Sequence, residues 1–222
     1  ACVPLAGDIP FDIASLVGCG VPTGWGSAVY AAGVRAGDTV VIYGAGGVGS
    51  NAVQGARYAG AKNVVVVDPV EFKRESAVGF GATHTFADAG EAHDFVVDTT
   101  WGQLADHAIC TPAVVTEEMV TSAVQVVGKG GKVTITAVGH IDERAVHVHA
   151  GMLIGYQRQI RGALFGDCNP LYDIPKLLGL YRSGDLKLDE LITRRYSLDQ
   201  VNEAYRDLVD GKNIRGVIIH EN

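Results

Sequence analysis

Between Thr39 and Leu164, short β-branched runs alternate with stretches whose apolar residues fall at helical spacing. The runs are Thr39–Tyr43 (TVVIY), Asn63–Val67 (NVVVV), His84–Phe86 (HTF), 106–110 (DHAIC), 132–138 (KVTITAV) and 159–164 (QIRGAL). The first, second and fifth are apolar almost throughout, which is the pattern of strands buried on both faces of a helix-covered parallel sheet. Residues 48–58, 71–78 and Glu117–Val126 fit amphipathic helices, while AGAKN and GKGGK punctuate as turns. The segment HDFVVDTTWG (93–102) has a strand-like composition, and the count of sheet units assigns it to a helix instead. Strand–helix–strand alternation of this length implies right-handed βαβ units.

After Leu164 the rhythm changes. GDCNPLYD reads as a loop, YDIPKLLGLYRSGDL as a helix ending at Ser183 and Gly184, and SLDQVNEAYRDLVDGK as a helix capped by Ser197 and followed by Gly211. IRGVIIH reads as a final strand. This tail and residues 1–20 are too short to form a core of their own, so they are expected to belong to a second domain that is only partly present. The opening ACVPLAGDIPFD, without a methionine, agrees with a processed or truncated start.

Composition narrows the function classes. The chain has 222 residues, 47% of them apolar, and a net charge of −7. An acidic surface argues against non-specific binding to nucleic acid or anionic membrane. No apolar run reaches the roughly 18–20 residues that span a bilayer, and no signal peptide is visible. The four cysteines (Cys2, Cys19, Cys110 and Cys168) contain no C-x-x-C pair, so a reduced, cytoplasmic setting is expected.

The chemistry begins at VVIYGAGGVGSN. Gly44-Ala45-Gly46-Gly47-Val48-Gly49 follows a buried strand directly and opens a helix. In that context Gly44 makes the tight turn, Gly46 lets backbone approach a pyrophosphate, and Gly49 lets the helix pack closely. The helix N-terminus offers free N–H groups to phosphates. Asp68 ends the next strand, 19 residues after Gly49, where its carboxylate would accept from ribose hydroxyls and disfavour a 2′-phosphate. NAD is therefore expected rather than NADP. Lys73 reads either as a ribose or adenine contact or as a solvated helix lysine. A methyltransferase also places an acidic residue after its second strand, although the three-glycine spacing weighs against one.

Five further stretches carry a resemblance. LVGCGVPTGWGSAV before the loop, VVVVDPVEFKRESAVGFGATH after it, and GGKVTITAVG, GALFG and GKNIRGVIIH beyond resemble the zinc-dependent medium-chain alcohol dehydrogenases across essentially the whole chain. TTWGQLADHAICTPAVVT and LKLDELITRRYSLDQVNEAY look like the actinobacterial nicotinoprotein branch, which keeps NAD(H) bound and passes electrons to a nitroso acceptor. The resemblance implies a doubly wound parallel Rossmann sheet in an α/β chain, with flanking remnants of a GroES-like catalytic domain. Residues 21–164 would form the NAD-binding domain, with 1–20 and 165–222 belonging to the catalytic one. Cys19 matches a ligand of the catalytic zinc, whose fourth tetrahedral position would take the alcohol oxygen. Thr23 matches a contact to the nicotinamide. Gly46, Gly47 and Val48 match the pyrophosphate loop, Val138 and Phe165 match backbone contacts to the nicotinamide end, and Arg215 matches an arginine that reaches the pyrophosphate.

The family's other zinc ligands, its proton relay and its four-cysteine lobe find no counterpart here. The chain thus reads as the C-terminal, coenzyme-binding part of an enzyme acting on an alcohol or aldehyde. The alternative is a dinucleotide-binding unit without activity of its own. His147 and His149 in VHVHAG read as a polar edge rather than a metal site, and Cys110 reads as core. A homo-oligomer is expected through an open edge strand at 132–138.

Overall fold

The computed structural model describes residues 2–137 and 148–220. Its centre is a six-stranded sheet in the order β3-β2-β1-β4-β5-β6, every neighbouring pair being parallel. The strands are β1 (Thr39–Tyr43), β2 (Asn63–Val67), β3 (His84–Phe86), β4 (Ala105–Cys110), β5 (Val127–Ile135) and β6 (Gln159–Gly162). All residues of β1 and β2 are buried, as their unbroken apolar runs imply. Their side chains alternate between two cores. Val40, Ile42, Val64 and Val66 enter one layer and Val41, Tyr43, Val65 and Val67 the other.

Helices cover both faces. They include α1 (Phe11–Leu16), α2 (Gly20–Gly26), α3 (Gly47–Tyr58), α4 (Glu71–Gly79), α5 (Ala89–Thr99), α6 (Glu117–Val126) and α7 (Ala150–Tyr156). A π-helical turn, Ser27–Ala32, continues α2. The ambiguous segment around 93–102 is helical: Asp88 caps α5 by accepting from the Gly90 and Glu91 N–H groups. The tail contains α8 (Pro170–Ser183), β7 (Ile192–Tyr196), α9 (Val201–Val209) and β8 (Arg215–Ile218). Ser197 and Gln200 form a capping box on the 3-10 turn that leads into α9.

Three expectations need correction. β5 starts earlier than 132, because GKGGK is a bulged entry into the strand, with Gly130 at φ +76 and a register shift opposite Ala105 and His107. β5 is also interior, paired on both sides, so on that side of the sheet the edge strand among the described residues is β6, β3 being the other edge. Third, ITRRY is a strand that its polar middle concealed. β7 pairs in parallel with β8 in a separate two-stranded sheet, with Ile192 and Tyr196 buried and the residues between them exposed. The terminal segments do not stand apart. Ile9, Ile13, Leu177, Leu188, Ile192 and Val217 share a single core with Val40 and Ile42.

Candidate functional site

The site lies at the carboxyl ends of β1 and β4, where the strand order reverses and open α/β sheets bind ligands. Gly44 leaves β1 at φ +95, a region side chains disfavour. Its N–H stays on the Val67 carbonyl at 2.8 Å. Thr111, at the end of β4, holds the turn from below. Its hydroxyl lies 3.0 Å from the Tyr43 oxygen and 2.9 Å from that of Gly44. A Cβ on Gly49 would overlap the Gly44 carbonyl, so this glycine permits the close approach of α3 to the turn. Gly46 is the extended N-cap of α3, and no side chain caps that helix. Its first N–H groups are therefore open to an anion.

Arg215 stands at that helix start. A Cβ on Gly47 or on Gly20 would collide with its guanidinium, so both glycines make room for it. Burial pushes the guanidinium below its usual range, with Cys19 opposing. Among the described residues it has no carboxylate partner, whereas Arg182 meets Asp8 at 2.6 Å and Arg195 meets Asp12 at 2.9 Å. A desolvated, unpaired cation beside the positive end of a helix calls for an anion between them.

α2 brings the other side of the site into place. A Cβ on Gly24 would overlap the Val48 carbonyl oxygen, so the two helices cross in backbone contact. This places Cys19, Thr23, Val48, Phe165 and Arg215 around one cleft of about 1140 Å³. The Thr23 hydroxyl donates to the Cys19 carbonyl at 2.7 Å, and the Cys19 sulfur lies 4.0 Å from it. Cys19 is exposed to the cleft. Phe165 adopts φ +55 beside Gly166, which packs under the α2 carbonyls of Pro22 and Thr23.

Asp68 and Lys73 lie away from this cleft. Asp68 is 5% exposed, and both its oxygens already accept backbone N–H groups, from Ala45 at 2.8 Å and Val70 at 2.9 Å. It ties the glycine turn to the end of β2, and each oxygen keeps a second lone pair for a ribose hydroxyl. Lys73 lies by the Gly211 turn after α9. Val138 and His147 fall outside the described residues. Cys110 is buried and its thiol is pushed up to about 12 by desolvation, so it is core. Cys168 donates to the Pro22 carbonyl at 3.3 Å. Thr111 was missed by sequence reasoning, since a threonine after a strand carries no signal of its own.

For a metal, the described residues contain no group of three or more His, Cys, Asp or Glu side chains able to hold an ion. Cys19 is a lone thiol in the cleft, and by themselves these residues do not fit a catalytic zinc. For a dinucleotide they do fit: a glycine turn, an uncapped helix start and an unpaired arginine converge on the space a pyrophosphate needs.

Comparison with known proteins gives concordant results. A family profile described as zinc-binding dehydrogenase matches residues 47–183. An NDMA-dependent alcohol dehydrogenase of Amycolatopsis methanolica is 58% identical over 96% of this chain and 57% of its own length. Benzyl alcohol dehydrogenase from Acinetobacter calcoaceticus superposes with a TM-score of 0.90 at 27% identity, over 97% of this chain and 59% of that one. An alcohol dehydrogenase zinc-binding domain protein from Burkholderia ambifaria gives 0.91 at 27% identity, over 99% of this chain and 58% of that one. The chain thus spans less than two thirds of the length of these relatives.

Proposed function

This chain belongs to the zinc-binding dehydrogenase family, and from that premise we propose that it is the coenzyme-binding part of an NAD-dependent alcohol dehydrogenase. The observation that carries the reading is the unpaired, desolvated Arg215 at the open start of α3. In this reading residues 21–164 are the coenzyme domain, and 1–20 with 165–222 belong to the catalytic domain.

The N–H groups at Gly47 and Val48 and the Arg215 guanidinium bind the pyrophosphate. Asp68 accepts from the adenosine ribose, and its charge selects against a 2′-phosphate. Lys73 borders the adenosine side. Thr23 and Phe165 border the nicotinamide end, to which family resemblance also assigns a backbone contact from Val138. NAD bound there supplies the acceptor for a hydride from a primary alcohol, giving an aldehyde. The apolar walls of the cleft, Leu16, Ile135 and Val217 among them, exclude water from the space where alcohol carbon and nicotinamide would meet. Cys19 is the residue this chain would offer to a zinc ion. The other ligands would come from the part of the family's length beyond the matched region, so no step is derived through the metal.

A second reading has one observation in its favour, the solitary Cys19: a unit that binds dinucleotide without catalysing. The two readings differ in zinc content. The family relationship and the all-parallel sheet leave no support for a methyltransferase. The open edge at β6 and the exposed apolar residues of α7, Ile154 and Tyr156, favour a homo-oligomer through that edge. Four free cysteines fit a reducing, cytoplasmic setting, and no described helix is long and apolar enough to cross a membrane.

The test is to purify the natural full-length protein gently, denature it, and assay the supernatant for NAD and zinc. Alcohol oxidation is then followed with a nitroso acceptor. We expect stoichiometric NAD, zinc, and turnover without added cofactor. NAD with neither zinc nor turnover would establish the binding unit instead. A protein that neither retains NAD nor takes it up would overturn both.

A further inference from the structure

A second pocket, of about 630 Å³, opens at the opposite end of the sheet, where β1, β2 and β4 begin. That volume lies in the range of small-molecule sites. Arg158, just before β6, lines it and is only 8% exposed. Its Nε and Nη1 atoms are buried and have no hydrogen-bond partner among the described residues. One face of the guanidinium is covered by the Tyr156 ring, 4.9 Å from Cζ to the ring centre. Burial pushes this group below its usual range.

Buried charged donors left without acceptors are costly, whereas several of the chain's exposed arginines are paired. Arg161, Arg182, Arg194 and Arg195 each reach a carboxylate within 2.9 Å. Lys62 and Lys129 line the same pocket, and neither has an ion pair among the described residues. Against these three cations stands the carboxylate of Asp106, one oxygen of which accepts from the Thr39 N–H at 2.8 Å. Trp101 forms the rim, 92% exposed and at φ +56.

We propose that this pocket is a second small-molecule site, binding an organic anion whose phosphate or carboxylate group accepts from the unpartnered N–H groups of Arg158. Lys62 and Lys129 add attraction at the mouth. The site is separate from the glycine turn and does not depend on the NAD reading.

Phenyl phosphate is the probe, titrated into the full-length protein carrying Arg215→Gln so that the cation at the glycine turn is absent. The readout is the part of the fluorescence change that a Trp101→Phe variant loses, because Trp101 forms the rim and Trp25, the other tryptophan of these 222 residues, is 1% exposed. We expect a saturable change, with the affinity falling roughly tenfold or more when Arg158→Gln is added, the loss of one charged hydrogen bond. Exposed Lys129→Gln should weaken binding severalfold without touching the fold, and it decides the matter if Arg158→Gln does not fold. No saturable binding at millimolar probe would overturn the proposal. So would an affinity unchanged by Arg158→Gln, or, where that variant does not fold, by Lys129→Gln.

Discussion

Arg215 is a cation seated against the positive end of a helix, with no described carboxylate to offset it. Such an arrangement costs stability in the empty protein and is relieved when a pyrophosphate arrives. Replacing Arg215 with Gln should therefore weaken NAD binding by about 10- to 100-fold, the worth of a charged hydrogen bond of roughly 1.5–3 kcal/mol. The melting temperature of the cofactor-free protein should stay level or rise. Calorimetric titration and thermal melts of the empty variant check both. A variant that binds as well as wild type would remove Arg215 from the site. The identity of this residue was legible in KNIRG only through resemblance. Its two distinguishing properties, desolvation and the absence of a partner, come from Gly20, Gly47 and Arg215, which no sequence pattern links. Asp68 shows the converse. Its place at the end of β2 followed from NVVVVD, but its bond to the Ala45 N–H could not be read from spacing.

At the scale of elements, the crossing of α2 over α3 shapes the cleft. The contact is backbone on backbone, with Gly24 facing the Val48 carbonyl and the fully buried Trp25 beside it. Gly24→Ala would force the helices apart, because the obstructing atom is main chain and cannot rotate away. We expect a loss of about 1–3 kcal/mol of stability, the usual cost of overpacking. NAD affinity should weaken along with it, since Val48 belongs to the phosphate turn. Urea unfolding together with cofactor titration would measure the two effects. Retention of both stability and affinity would show that the crossing is slack. Most elements of the sheet were legible, because β1 and β2 are buried on both faces and their apolar runs admit few alternatives. β7 was hidden because Thr193, Arg194 and Arg195 are exposed, so burial leaves its mark only on the two ends.

Across the whole molecule, one buried histidine ties the sheet's amino end to stability. His107, on β4, is 7% exposed. Its Nε2 lies 3.0 Å from an oxygen of Asp38, which also accepts from the Arg35 N–H at 2.8 Å. Desolvation pushes the imidazole below its usual value, with the Asp38 carboxylate pulling the other way. The unfolded chain therefore takes up a proton near pH 6.5, where the folded chain does not yet do so. Stability falls as pH drops below that value, by up to about 1.4 kcal/mol per pH unit, until the folded-state histidine also titrates. His107→Gln should flatten this slope. Urea midpoints at pH 7.5 and 5.5 would show it, and an equal slope in both proteins would count against the assignment.

The sequence by itself determined the parallel α/β sheet, the glycine turn, the order of the strands through β6 and, by resemblance, the family. Unbroken apolar runs, helical spacing and glycines at a strand–helix junction each have few structural solutions. Tertiary structure decided what depends on residues far apart in the chain. It made β5 an interior strand, with β6 beyond it at the edge, and made the flanking segments share a core with the sheet. It also left Arg215 desolvated and Arg158 buried, neither with a carboxylate partner among the described residues. Pairing, burial and charge balance are properties of neighbours in space, and a linear pattern records them only where neighbours in space are also neighbours in sequence.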